Sequence, residues 1–568
     1  MRLLTLLLLL KTTVLTAQVL PPAVYPKGYF RNPLNIPIKL AGNFGELRPN
    51  HYHMGLDIKT NARENLPVYA AADGYVARIK IEPYGFGRAI YVNHPNGYTT
   101  VYAHLNAFNP TLEKWVKEQQ YQQQSWKVFL ELTPDLFPVL KGDFLAYSGN
   151  TGGSQGPHLH FEVRRTQNDV NLNPLSFAFP IPDNVPPQLQ RLAIYDRTGS
   201  VYEQSPKLIP VKALSGARYI TSPSIIKVAT PLVSFGIGAY DTQTGSPNHN
   251  GIYECTLLVN EDPVIAFRMD NISYNETRDL NAHIDYKTKA QGGAYLQHLS
   301  QLPGYVNSIY HSKKGNGVVD LSDESVHSVT IQVKDANGNT STLDYKIQYS
   351  GIDPQKPEPT DKLFYPLMMD GFESPGCEFY IGERCLYDSV HVRYNKSANT
   401  NPMVVSSLHS IGAPYIPLRD SFLIRIQPLR PLTEAEKSRT VMQWFAGTKK
   451  TVQKVEWKGN WASARFRDFG NFQLVVDTDP PVIVPVGFGK GSDLSKATRI
   501  AFTVEDNFQE FKNVRAELDG KWLRFTNDKG KVFIYYFDEM CMSGNHELKI
   551  TAEDEAGNVT VETYNFTR

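Results

Sequence analysis

Three proline clusters set the scale at which this chain can fold. They are Phe179-Pro180-Ile181-Pro182-Asp183-Asn184-Val185-Pro186-Pro187, the run from Gly351-Ile352-Asp353-Pro354 to Pro359, and Val476-Asp477-Thr478-Asp479-Pro480-Pro481. Proline gives no amide hydrogen to a sheet and holds the preceding residue extended, so such clusters end strands and mark joints. At 568 residues the chain also exceeds what one hydrophobic core supports. The joints predict a first unit over 18–183 and further units over 184–350, 351–477 and 478–568, behind an N-terminal segment 1–17. The chain is rich in Tyr, Phe, Thr and Val with many Gly and Pro, the balance of an all-β protein with numerous turns.

An internal repeat sharpens that expectation. Lys334-Asp335-Ala336-Asn337-Gly338-Asn339-Thr340 is followed, ten residues after its Asp, by Tyr345, and Glu553-Asp554-Glu555-Ala556-Gly557-Asn558-Val559 at the same offset by Tyr564. Ala239-Tyr240-Asp241 and Val504-Glu505-Asp506 stand upstream of the two copies. Alternating strands with an Asp/Gly/Asn turn before the last one resemble bacterial immunoglobulin-like β-sandwich modules. The 351–477 unit is strand-rich and of no evident type.

The chemistry lies in the first unit. His158 and His160 sit two apart in Gly152-Gly153-Ser154-Gln155-Gly156-Pro157-His158-Leu159-His160-Phe161-Glu162. In an extended strand they share a face, with Leu159 turned to the other. Far upstream, His53 and Asp57 are four apart in His53-Met54-Gly55-Leu56-Asp57. Zinc takes about four ligands from Cys, His and Asp/Glu, and a catalytic site leaves one of them to water. His53, Asp57 and one histidine of the pair would supply three, and the surplus histidine would serve water activation or charge stabilisation. Glu162 shares the histidines' parity and is a candidate to orient a ligand. His104 closes the β-branched, aromatic run Tyr98-Thr99-Thr100-Val101-Tyr102-Ala103.

Taken together, residues 42–164 resemble the lysostaphin-like LytM family of zinc metalloendopeptidases, which cut peptide bridges of bacterial peptidoglycan. The matching pieces are Gly42-Asn43-Phe44-Gly45-Glu46-Leu47-Arg48, the His53/Asp57 motif, Pro67-Val68-Tyr69-Ala70-Ala71-Ala72-Asp73-Gly74-Tyr75-Val76, Tyr102-Ala103-His104-Leu105, Lys141-Gly142-Asp143, and Gly149-Asn150-Thr151-Gly152 running into Gly156–Glu162. The resemblance implies Zn2+ held by His53, Asp57 and His160, with His104 and His158 as catalytic histidines beside the metal-bound water. Spacing does not distinguish base from oxyanion donor. The implied activity is hydrolysis of peptidoglycan cross-links. The alternatives are a non-catalytic LytM-type regulator of cell-wall amidases and a cell-envelope adhesion or binding protein.

One departure from that pattern is an insertion between His104 and Lys141. Its Leu112/Trp115/Val116 spacing and good helix formers predict a short helix. It would lie near a wall of the substrate groove or elaborate the surface. The start Met1-Arg2, the apolar run Leu3–Leu10 and Ala17 fit a secretory signal peptide too short to be a permanent anchor. The expected location is therefore exported, in the periplasm or at the cell surface of a bacterium. With 58 Lys and Arg against 57 Asp and Glu, nothing favours nucleic acid, and the expected partners are peptide stems of peptidoglycan and an envelope protein met by the sandwich modules. Cys377 and Cys385 are spaced for either a disulfide or two free thiols. Segment 25–52, with Asn50 and His51, is a candidate to cross the groove and fill a metal position.

Overall fold

The computed structural model describes residue 20 and residues 24–305, 308–351, 360–399, 401–508, 511–530 and 532–568. The signal-peptide reading of 1–17 and most of the second proline joint lie outside them. Strands take 48% of the chain and helices 8%, so the all-β expectation holds. No helix among the described residues is long and apolar enough to cross a membrane.

The first unit is built on a large antiparallel sheet. Its centre is the strand His158–Arg165, flanked by Leu56–Lys59 on one side and Tyr98–Ala103 on the other. The strand alternates as its sequence requires: Leu159, Phe161 and Val163 are fully buried in the core of this unit, while His158, His160 and Glu162 take the opposite face. Phe179 and Ile181 of the first proline joint complete that core.

The insertion forms the helix Pro110–Gln123. Asn109 Oδ1 caps it by accepting from Leu112 N at 3.0 Å, Pro110 takes the first turn, and Gln124 ends it at φ 48. Leu112 and Val116 are buried against the sheet, while Trp115 packs edge-on to Phe137 at 5.6 Å.

The next sheet runs through residues 188–349, followed by two five-stranded sheets within 370–476 and a three- and a five-stranded sheet within 482–567. The last pair encloses its own core around Phe502, Leu548 and Ile550. The repeated turn is present in both places: Asn339 Nδ2 donates to Asp335 Oδ2 at 2.6 Å, and Asn558 Nδ2 to Asp554 Oδ2 at 2.8 Å. All four cysteines are buried and free.

The units are not beads on a string. Phe44, Tyr52 and Met54, which flank His53 in sequence, are buried in the core that runs through residues 189–474 rather than in the first unit's own core. The strands Asn171–Leu172 and Asn271–Ile272 pair across the joint. At the other end, the inserted helix receives the last unit. Lys117 pairs with Asp538 at 2.8 Å, Arg524 Nη1 donates to Gln120 Oε1 at 3.0 Å, and Tyr121 meets Trp522 edge-on at 5.3 Å. The helix is thus a docking platform, a role its sequence does not announce.

Candidate metal centre

Sheet register assembles the site. His160 pairs directly with Asp57 on one neighbouring strand and with Ala103 on the other, so His104 follows immediately beyond. His53 reaches the same point from the preceding loop, whose backbone is tied by Gly45 N to His53 O at 2.8 Å and His53 N to Glu46 O at 2.9 Å. Gly55 permits the approach: a Cβ there would meet Phe161 O at 2.4 Å and His160 Cε1 at 3.1 Å. His104 adopts φ 60, a left-handed conformation uncommon outside glycine, which turns its ring inward at the strand end.

One ligand atom each of His53, Asp57 and His160 gathers within 4.8 Å of the others, and all three residues are buried. His53 Nε2 and His160 Nδ1 are 3.0 Å apart, and each is 3.0 Å from Asp57 Oδ1. The outer nitrogens fix the tautomers. His53 Nδ1 faces the carbonyl of Asn43 at 2.8 Å, which only accepts, so Nδ1 carries the hydrogen and Nε2 is bare. His160 Nε2 donates to Glu162 Oε1 at 2.9 Å, which leaves Nδ1 bare in the neutral ring. Two lone pairs and a carboxylate therefore converge on one buried point. Such a set repels itself unless a positive charge sits in it, so the residues fit a divalent metal and the nitrogen–oxygen donor set suits zinc.

The electrostatics agree. Burial holds His53 neutral, lowering it to about 4. Burial also works against a charged His160, yet hydrogen bonds to Asp57 and Glu162 outweigh it and raise this ring to about 9. Without a metal, a proton on His160 supplies the missing charge. Burial opposes ionisation of Asp57 too, but contacts with His53, His158 and His160 hold it well below the usual carboxylate range.

Two more rings face this point. His104 Nδ1 donates to the carbonyl of Thr151 at 2.8 Å and His158 Nδ1 to that of Gly156 at 2.8 Å, so both present a bare Nε2. Their ring centroids are 4.8 Å apart. His158 Nε2 stands 3.2 Å from Asp57 Oδ1 without a hydrogen bond's geometry. Burial keeps His104 neutral, near 3, with His160 and His158 acting in the same direction. Asn50 and His51 stay outside: His51 is exposed and faces Pro49 O, and Asn50 Oδ1 accepts from Asn281 Nδ2.

Several members of the site carry no sequence signal of their own role, whereas Glu162 orients His160 from the face its parity with the histidines predicts. Arg48, inside the Gly42–Arg48 block, pairs with Asp57 Oδ2. Glu162 is fully buried and gathers His160, Arg164 and the hydroxyl of Tyr274, which reaches in from the next unit at 2.8 Å. The loops that hold His104 and His158 are braced by the last unit. Gly152 N donates to Asp528 Oδ1 at 2.8 Å, Lys529 Nζ to Ser154 O at 2.6 Å, and Lys529 N to Pro83 O at 2.7 Å. Gly152, at φ 68, packs so closely on Gly87 that a Cβ would lie 2.2 Å from its nitrogen.

Residues 51–121 match the model of peptidase family M23. The chain carries a peptidase family M23 domain. The matched stretch contains His53, Asp57 and His104 and ends before the His158/His160 pair. Residues 362–477 match a Zu5-like domain, which gives a type to the strand-rich unit expected over 351–477. The chain is similar to the DD-carboxypeptidase/endopeptidase Mpg of Neisseria meningitidis, 35% identical over 131 residues that make up 23% of this chain and 24% of that protein. It is also similar to the peptidoglycan DD-endopeptidase ShyA of Vibrio cholerae, 27% identical over 166 residues, 28% of this chain and 32% of that one. The shared stretch is thus a quarter to a third of these relatives' length. Among solved structures, the catalytic domain of lysostaphin from Staphylococcus simulans aligns at 24% identity over 22% of this chain and 80% of that one, with a TM-score of 0.17.

Proposed function

We propose that this chain is an exported zinc endopeptidase that hydrolyses peptide cross-links of bacterial peptidoglycan. His53, Asp57 and His160 hold the metal, and His104 and His158 move the protons. The observation that carries this reading is the convergence of three acceptor atoms on one buried point, with two further lone-pair nitrogens beside it. The relatives named for peptidoglycan endopeptidase activity support the substrate class and a place in the bacterial envelope.

A bound zinc ion would polarise the scissile carbonyl and bring the pKa of its water to about 7. The protein's own part is to aim its donors and acceptors. Thr151 and Gly156 carbonyls pin the Nδ1 hydrogens of His104 and His158, so each Nε2 can accept a proton from the attacking water. Once protonated, the same nitrogen becomes a donor to the tetrahedral oxyanion or to the leaving amine. Arg48 and Glu162 fix the orientation of Asp57 and His160 from behind. The units over 184–350 and 478–568, read as immunoglobulin-like sandwiches, hold the loops of this site as well as positioning it on the wall.

Digestion of purified sacculi of different cross-link types, followed by mass analysis of the released fragments, tests the reading. Cleavage at a stem-peptide or bridge bond, abolished by chelator and restored by zinc, is expected. Sacculi left intact by zinc-loaded protein, or cleavage indifferent to chelator, would refute it.

A further inference from the structure

A second cluster of acceptors lies where the first unit hands over to the next. One carboxylate oxygen each of Asp183, Asp241 and Asp335 falls within 4.8 Å of the others. Asp183 comes from the first proline joint, Asp241 from the strand Leu232–Thr242, and Asp335 from the repeated turn. None of the three is ion-paired to a Lys, Arg or His among the described residues, and Asp241 and Asp335 are 5% and 3% exposed.

An acidic cluster alone would signify little. Here a neutral side chain points to the same place. Asn250 is the cross-strand neighbour of Asp241, is 4% exposed, and lines the same small cavity. Its Oδ1 is buried without a hydrogen-bond partner, and so is Oδ1 of Asp241. Buried polar atoms of this kind are costly unless something unseen satisfies them. The cavity holds about 20 Å³, room for one ion or water and no more.

We infer that this cavity is a structural calcium site, formed by Asp183, Asp241, Asp335 and the side-chain oxygen of Asn250, that locks the joint between the peptidase domain and the unit after it. An all-oxygen set suits a hard cation. Calcium–oxygen distances of about 2.4 Å allow two ligands to lie up to about 4.8 Å apart, as these do. Burial, together with the neighbouring Asp335 and Asp183, lifts Asp241 to about 7, the mark of carboxylates gathered without a counter-charge. In the second copy of the turn Asn507 Nδ2 donates to Asp477 Oδ1 at 2.9 Å, whereas Asp183 Oδ1 accepts from the backbone N and the hydroxyl of Thr244, both at 3.1 Å.

The site is also close-coupled to the catalytic centre. Gly251, next to Asn250, exchanges two 2.8 Å hydrogen bonds with the side chain of Asn43, whose carbonyl in turn orients His53. The inference does not depend on what the catalytic centre hydrolyses.

Calorimetric titration of the zinc-loaded full chain with CaCl2, and separately with MgCl2, tests it, alongside thermal unfolding. One equivalent of Ca2+ is expected to bind and raise the Tm. Asp241→Asn and Asp335→Asn should each weaken binding at least tenfold, and Asp241→Asn should be more stable than the parent without Ca2+ because it relieves repulsion. His53→Ala should lose zinc yet keep the full calcium response. No Ca2+ uptake by the parent at 10-millimolar levels (on the order of ten times the weakest extracellular modules), uptake unchanged in both Asp variants, or tighter binding of Mg2+ than of Ca2+ would each overturn the assignment.

Discussion

His53 Nε2 faces His160 Nδ1 across 3.0 Å, and neither atom has a hydrogen to offer while both rings are neutral. That pair, with Asp57 Oδ1 beside it, makes the centre a trap for positive charge: a metal ion, or in its absence a proton on His160.

Competition between the two gives a pH dependence. His160 is raised to about 9, so below that pH it holds a proton that zinc must displace, whereas His53, lowered to about 4, is already neutral. Apparent zinc affinity should therefore rise about tenfold per pH unit between pH 6 and 8 and level off above about 9. Competition with a chromophoric chelator, corrected for the chelator's own protonation, measures it. A flat profile across this range would mean that His160 is not a ligand.

Proton handling and metal holding should separate by mutation. His158→Ala and His104→Ala are expected to keep one zinc per chain and to lower kcat by about 10²–10⁴, whereas Asp57→Ala should lose the metal. Zinc content and muropeptide release on the same samples read both. Activity retained in His158→Ala would remove its proposed role.

The support of His160 reaches into the next unit. Tyr274→Phe removes one hydrogen bond to Glu162 and should weaken zinc binding a few-fold. Glu162→Gln, which also leaves Arg164 buried without its partner, should cost about 10–100-fold. Chelator competition at fixed pH gives both numbers, and equal effects would argue against transmission through Glu162.

A fragment ending at residue 183 should be a poor peptidase. It strips the cover from Phe44, Tyr52 and Met54, each 4% exposed or less, and cuts the Asn43–Gly251 clasp behind His53. Exposing side chains of this size costs on the order of 1.5–3 kcal/mol each. Loss of solubility, or zinc affinity at least tenfold below the full chain, is the expected outcome. A soluble fragment with undiminished zinc affinity would show that the neighbouring unit is dispensable for the site.

Much of this site is legible in the sequence because it depends on local parity. The alternation around His158 and His160, with Glu162 on the same face, follows from a two-residue repeat, and the inserted helix follows from its Leu112/Trp115/Val116 spacing and good helix formers. What is not legible comes from pairings over long separations. Asn43 with Gly251, Glu162 with Tyr274 and Gly152 with Asp528 join residues 208, 112 and 376 positions apart. No local pattern encodes such contacts; they arise from the docking of whole sheets. The proline joints likewise mark where strands stop but not that the core continues past them.

The central claim is that one metal ion per chain, held by His53, Asp57 and His160, makes this protein a peptidoglycan hydrolase. Stepwise addition of zinc to metal-free protein, with muropeptide release from sacculi followed at each step, tests it most directly. Activity should climb linearly and stop at one equivalent, and His160→Ala should neither retain that equivalent nor cleave. Full cleavage by the metal-free chain, or one tightly bound zinc persisting in His160→Ala, would contradict it.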